Sequence, residues 1–427
     1  MNRRDFIKLL GGAGMAGAFP GVFMQEALAA DPFAGLALIN IHCGGGWDHS
    51  SFCDPRENVD VNRWAQNAKA GTAGRLRFAP MGENAEFFQK YYRDMLVFNG
   101  IDLQSNGHGG AALAHHTGGL SGLPSLNALY ASAVADGLPM PWLLAGGITQ
   151  HLGIQPFTRL PSDAQMRQLA NANRRDTSRL YFRGSDMDII DRYRAERLQA
   201  MSGETNNLPY TQRKLDELYD ARTSRGMMDR LANALPDQLD NNDLKGDPHG
   251  MVNGIHRTLA AVQAGVCASA SLRVNHGYDS HRDHDNNHNV GMTKLTRAVD
   301  YLWTKAEQMG IANRLVVLIA SDVGRTPRYN NNNGKDHWSA GSSVIMMKNQ
   351  PWTNRVVGIS GPKHQKLKIN PATLQEDANG IRLRTAHVHQ ALRTILGIEN
   401  DVLSKKYAFD VAPIDVLNPG VTSPVNV

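Results

Sequence analysis

Arg314-Leu315-Val316-Val317-Leu318-Ile319-Ala320-Ser321, followed at once by Asp322-Val323-Gly324-Arg325-Thr326-Pro327-Arg328, is the stretch that decides the fold. Six consecutive apolar residues, half of them β-branched, predict a strand buried on both faces, as strands of parallel sheets are. Working outward, apolar runs at 36–41, 95–101, 142–147, 266–274, 342–347 and 355–359 predict further strands. Residues 252–264, 289–309 and 386–396 predict helices, with Leu295, Val299 and Leu302 sharing one face of the second. Strands alternating with helices predict an α/β fold, a three-layer sandwich around a mostly parallel central sheet. The segment at about 163–244 is polar and rich in Arg, Asp and Asn, with helical stretches near 186–201 and 211–235. The strand pattern resumes after it, so it reads as a helical insertion in a single domain spanning 30–427.

The N-terminus carries a different signal. Arg3-Arg4, then Phe6-Ile7-Lys8, a weakly apolar Gly- and Ala-rich stretch at 9–24, and Ala27-Leu28-Ala29 predict a twin-arginine signal peptide over 1–29. The apolar part is too short and too glycine-rich for the ~20 strongly apolar residues that a membrane span needs. The expectation is therefore a periplasmic or secreted protein that meets the twin-arginine export machinery, with no transmembrane span in the mature chain. That route carries folded proteins, often around a cofactor, which favours a metal or other prosthetic group.

Hydrophobic residues make up 41% and charged residues 20% of the 427, a globular composition. The net charge of +5 includes Arg3, Arg4 and Lys8 of the signal, and no Lys/Arg run points to nucleic acid. An oxidising compartment would allow Cys43 and Cys53 to pair, leaving Cys267 odd and buried. No C-x-x-C exists, which argues against a thiolate zinc site, and the cysteine spacing suits neither haem nor an iron–sulfur cluster.

Open α/β sheets bind ligands outside the carboxyl ends of their strands. The predicted strands run into Trp47-Asp48-His49, into Asn106-Gly107-His108, into the segment 276–288, and into Asp322. Asp336-His337-Trp338 stands just before another strand. Segment 276–288 alone holds four of the 16 histidines and three aspartates, a donor mix suited to zinc, manganese or iron. Asp279 and His281 lie nearest the strand end and are the first choice as ligands, His284 the next; His288 reads as an outer-shell or solvated residue. Asp48 is either a ligand, with Gly44-Gly45-Gly46 allowing close backbone approach, or a helix cap, as is Asp54. Arg325 and Arg328 suit bidentate binding of an oxyanion. His115 and His116 are adjacent on a predicted helix and diverge by about 100°, so at most one faces the site and packing is the simpler role. His387 and His389, at a helix start, are weaker ligand candidates.

Gly44-Gly45-Gly46-Trp47-Asp48, Tyr278-Asp279-Ser280-His281, Ser321 to Arg328 and Gly334-Lys335-Asp336-His337-Trp338 resemble the exported bacterial family known as domain of unknown function 1501. That family is similar to the alkaline phosphatase and sulfatase superfamily. The resemblance implies one or two divalent metals between strand ends, zinc first, with manganese, calcium or iron as alternatives. It implies Asp48, Asp279, His281 (or His284), Asp322 and His337 as ligands. It also implies a nucleophile nine residues before Thr117-Gly118, which lands on His108, with Ser105 the nearest hydroxyl. Val323 replaces a histidine common beside the matched aspartate, so the second metal site looks depleted. The implied activity is hydrolysis of a phosphate or sulfate ester, with His108 and Arg325 catalytic and Arg325 and Arg328 on a small anionic substrate. The alternative is a non-catalytic envelope protein that binds or assembles on the same metal scaffold.

Overall fold

A computed structural model describes residues 32–420 apart from 136, 161, 171–172, 174–178, 205, 213, 216–224 and 236–248. Residues 1–29, expected to be a signal peptide, and parts of the 163–244 segment lie outside the described residues. The main strands are β1 (Ala37–Cys43), β2 (Met95–Asp102), β3 (Trp142–Ala145), β4 (Thr158–Arg159), β5 (Ser269–Arg273), β6 (Leu315–Ser321), β7 (Ala340–Met346) and β8 (Arg355–Val357). They form one sheet in the order β8-β2-β7-β6-β1-β5-β3-β4. All neighbours pair in parallel except β7, which runs antiparallel to both β2 and β6. The α/β expectation holds.

The longer helices among the described residues are α1 (Asn84–Tyr91), α2 (His108–Thr117), α3 (Leu126–Val134), α4 (Asp163–Ala170), α5 (Gly184–Ser202), α6 (Arg225–Ala234), α7 (His249–Gln263), α8 (His284–Gln308) and α9 (Thr385–Ile395). The two-residue repeat of β1 shows how they sandwich the sheet. Ile39, Ile41 and Cys43 share a core with Phe88 of α1, Leu259 of α7 and Leu295 of α8. Leu38 shares the other with Leu129 of α3 and Leu392 of α9. Helices α4 to α6 are the described parts of the insertion, and α5 is mostly exposed, with only Leu198 buried. No helix among the described residues is long and apolar enough to cross a membrane.

Two sequence expectations need correcting. Cys43, Cys53 and Cys267 are all free and buried. Cys43 lies beside Tyr278, while the Cys53 thiol donates to Ser342 Oγ at 3.3 Å, so the two point to different neighbours. Helix α8 starts at His284, five residues before the expected 289. Asp283, in the left-handed region at φ 45°, turns the chain into it. His284 and His288 therefore stand one turn apart on a buried helix face rather than in a solvated loop.

His389 ties α9 to α2 by donating from Nε2 to the His115 carbonyl at 2.8 Å. Burial pushes its pKa down to about 4. The folded value lies below the unfolded value of about 6.5, so its contribution is complete above pH 6.5 and is lost as pH falls towards 4. Between pH 7.5 and 5, wild type should lose about 2 kcal/mol more stability in urea titrations than His389→Gln. Equal losses would show that His389 is not linked to unfolding.

Candidate metal centre

β1 and β6 pair from Ala37–Leu315 to Cys43–Ser321, so they end level and release Gly44 and Asp322 side by side. The Asp322 carboxylate accepts from Gly45 N at 3.0 Å and from Val323 N at 2.9 Å. Gly45 has φ +100°, and a Cβ there would stand 2.7 Å from Asp279 N. The bare backbone at 45 is thus what lets the chain leaving β5 lay Asp279 against the end of β1. His108 is the first residue of α2, just past β2. His337 returns to the same rim because β7 is antiparallel: its start, unlike that of every other strand, lies at the carboxyl end of its neighbours. A short ribbon, Gly324–Arg325 against His337–Trp338, makes that return.

Five of the expected residues therefore meet. Asp279 Oδ1 is 3.1 Å from His281 Nε2 and 3.2 Å from His337 Nε2, and the two ring nitrogens are 3.1 Å apart. His281 Nδ1 lies 3.0 Å from Asp336 Oδ1, and His337 Nδ1 lies 2.9 Å from the Asn106 carbonyl. Both partners are acceptors, so each Nδ1 carries the proton. In the neutral rings both Nε2 lone pairs then point at each other and at a carboxylate oxygen. His108 closes the ring, with Nδ1 at 2.9 Å from Asp322 Oδ2 and Nε2 at 3.5 Å from Asp279 Oδ2. Burial pushes the Asp279 pKa up, but the Arg325 bond and charge, with His337 and His281, outweigh this and hold it at about 2.

With both rings neutral, three lone-pair atoms at mutual distances of 3.1–3.2 Å repel one another unless a proton or a metal ion lies among them. A tetrahedral zinc with ligands about 2.0–2.1 Å away spaces its donors by roughly 3.3 Å. The residues present fit a divalent metal, with Asp336 and Asn106 fixing the imidazoles from behind.

The other expected residues sit differently. Arg325 is fully buried; it donates from Nε to the Gly46 carbonyl at 2.8 Å, from Nη1 to the Lys335 carbonyl at 3.0 Å, and from Nη2 to the Gly45 carbonyl and to Asp279. The guanidinium is thus committed within the protein and positions Asp279 instead of gripping a substrate anion. Arg328 is exposed. Asp48 is not part of the rim cluster. It is buried, and its carboxylate takes Lys335 Nζ, Ser50 N at 2.9 Å and Ser50 Oγ at 2.6 Å, with His284 Nε2 3.1 Å away. The carboxylate that the resemblance gave to a metal is thus bonded to the Lys335 ammonium. Asp48 also caps a short 3₁₀ turn, the alternative role read from the sequence. Lys335 carried no signal in the sequence beyond lying next to Asp336-His337. Ser105 bonds to Gly107 within its own loop.

A cavity of about 710 Å³ opens at the carboxyl ends of β3 and β5, with Arg273, His276 and Lys294 on its wall beside Met251 and Leu272. Gly277, also on this wall, is two residues from Asp279.

Fold and site together define an α/β protein with an Asp/His cluster on the carboxyl rim of its mostly parallel sheet. The chain belongs to the family described as protein of unknown function (DUF1501), matched over residues 36–347. No curated protein matches it. Among solved structures it is similar to the PsFucS1 sulfatase from Pseudoalteromonas sp., at 9% identity and TM-score 0.42, covering 95% of this chain and 78% of that one. It is also similar to the alkaline phosphatase of the Antarctic bacterium TAB5, at 9% identity and TM-score 0.32, covering 73% of this chain and 91% of the other.

Proposed function

We propose that this chain is an exported, metal-dependent hydrolase of phosphate or sulfate esters. The observation that carries the reading is the triangle of Asp279 Oδ1, His281 Nε2 and His337 Nε2, three inward lone pairs with edges of 3.1–3.2 Å. Asp279, His281 and His337 hold the metal, zinc first, with His108 and Asp322 adjoining. When bound, the metal supplies Lewis-acid polarisation of an ester oxygen and lowers the pKa of a coordinated water.

The chain's own residues do the rest. Asp322 accepts the His108 Nδ1 proton, which leaves Nε2 as the atom that takes a proton from the attacking group or returns one to the leaving oxygen. Arg325 keeps Asp279 ionised and aimed at the imidazoles. Arg273 and Lys294 place positive charge on the wall of the neighbouring cavity, which suits an anionic substrate. Export rests on Arg3-Arg4 and the stretch up to Ala29.

The test is metal analysis and turnover of the purified full chain on aryl phosphates and aryl sulfates. Wild type should retain metal, and His281→Ala should lose one equivalent together with activity. No metal and no turnover in wild type would end the proposal. Retained metal without turnover on any ester would shift it to a non-catalytic binding protein on the same scaffold.

A further inference from the structure

The face of β1 opposite Ile39 and Ile41 is unusual for a strand buried on both sides. Leu38 is followed there by Asn40 and His42, both buried. Above them the last turn of α2 brings His115 and His116, also buried. Their side chains diverge around the helix, yet they straddle His42 from two directions. Ring centroids are 5.3 Å apart for His42 and His115, 5.1 Å for His42 and His116, and 4.7 Å for His115 and His116. One nitrogen from each ring lies within 4.8 Å of the other two. Three imidazoles on one tetrahedral ion with metal–nitrogen bonds of about 2.0–2.1 Å have centroids roughly 5 Å apart.

Core packing alone does not account for these rings. Asn40 reaches both, its amide lying 2.9 Å from His115 Nε2 and 3.3 Å from His116 Nδ1. His42 Nδ1 is buried with no hydrogen-bond partner, which is costly for a polar atom in a protein interior. The Gly147 backbone closes over His116: at φ +96° its Cβ would stand 2.6 Å from the ring. His389 holds the α2 backbone from behind through the His115 carbonyl.

We propose that His42, His115 and His116 form a second metal site, buried between β1 and α2, which takes one zinc or copper ion through three imidazole nitrogens. The set has no carboxylate or carbonyl donor, so it discriminates against magnesium and calcium and favours late first-row metals. Asn40 Oδ1 accepts from His115 Nε2 and so orients that ligand as an outer-shell partner. This site is independent of the ester-hydrolase reading, and its test removes the rim centre first.

In an Asp279→Asn/His281→Ala background, the chelator-stripped full chain is titrated separately with zinc, copper, cobalt, magnesium and calcium. It should still bind one equivalent of zinc or copper, cobalt should give the visible bands of tetrahedral coordination, and zinc should raise the melting temperature. Adding His42→Gln should abolish the cobalt bands and the thermal shift. It should weaken zinc by more than the roughly 10- to 100-fold that loss of an outer-shell partner costs. The proposal falls if the background variant, folded by circular dichroism, binds neither zinc nor copper at micromolar concentration. It falls equally if magnesium or calcium binds as well, or if His42→Gln leaves binding unchanged. Failure here with metal kept at Asp279 in wild type would leave the rim centre untouched.

Discussion

Asp279→Asn should abolish turnover and metal retention at the rim while leaving the chain folded. One oxygen of Asp279 lies 2.7 Å from Arg325, 3.1 Å from His281 and 3.2 Å from His337, so a neutral amide there removes a charge that all three groups contact. Losing the several kcal/mol of transition-state charge stabilisation that a metal provides means a fall in kcat/KM of roughly three orders of magnitude. Asn keeps the volume of the side chain, which is 46% exposed, so the melting temperature of the metal-free protein should move little. Because Asp279 is held at about 2, the acid limb of the pH–rate profile should not report this carboxylate. A variant with wild-type kcat/KM would show that the centre is not where the chemistry happens.

Lys335→Met should produce the largest loss of stability. Lys335 and Asp48 are both fully buried and bonded to each other, with Asn62 Oδ1 3.2 Å from the ammonium and the Tyr329 ring 5.1 Å below it. Removing one partner of a buried ion pair strands the other charge and costs about 3–5 kcal/mol. Burial alone would push the Asp48 pKa up, but Lys335 and His284 hold it well below the ordinary carboxylate range. A folded pKa below the unfolded one gives stability that is present above about pH 4 and lost as pH falls through the folded value. The gap between wild type and Lys335→Met, measured by urea titration, should therefore narrow towards acid pH. Asp48→Asn/Lys335→Met should recover part of the loss, since no charge is then left unpaired. A single-variant loss below about 1 kcal/mol, the range of exposed pairs, would refute the buried pairing.

Both predictions turn on residues that the sequence weighted unevenly. Asp279 and His281 were legible because strand ends in an α/β sheet are where ligands bind, and a dense His/Asp run after a predicted strand stands out. Arg325 was legible as a cation beside Asp322, but its burial and its three carbonyl partners were not, because those come from two other segments, Gly45-Gly46 and Lys335. Asp48 was recognised as special, yet its partner Lys335 lies 287 positions away. His115 and His116 read as packing residues. The overlooked signal was Asn40 and His42, polar residues at alternate positions of a strand buried on both faces, where apolar ones belong.

By itself the sequence determined the layers: long unalternated apolar runs between amphipathic helices bury a sheet on both sides, and that physics is local to each run. It also determined which strands end in Asp or His, since a residue's place in a strand is read along the chain. Only the tertiary structure decided which of those ends meet. The antiparallel entry of β7 carries His337 to the common rim, and the level ends of β1 and β6 set Gly45 against Asp322. Hydrogen-bond reach between side chains is a few ångströms, whereas their separation along the chain is tens to hundreds of residues. Strand order and register, which no local pattern encodes, therefore settled which charges are paired and which nitrogens are left facing one another.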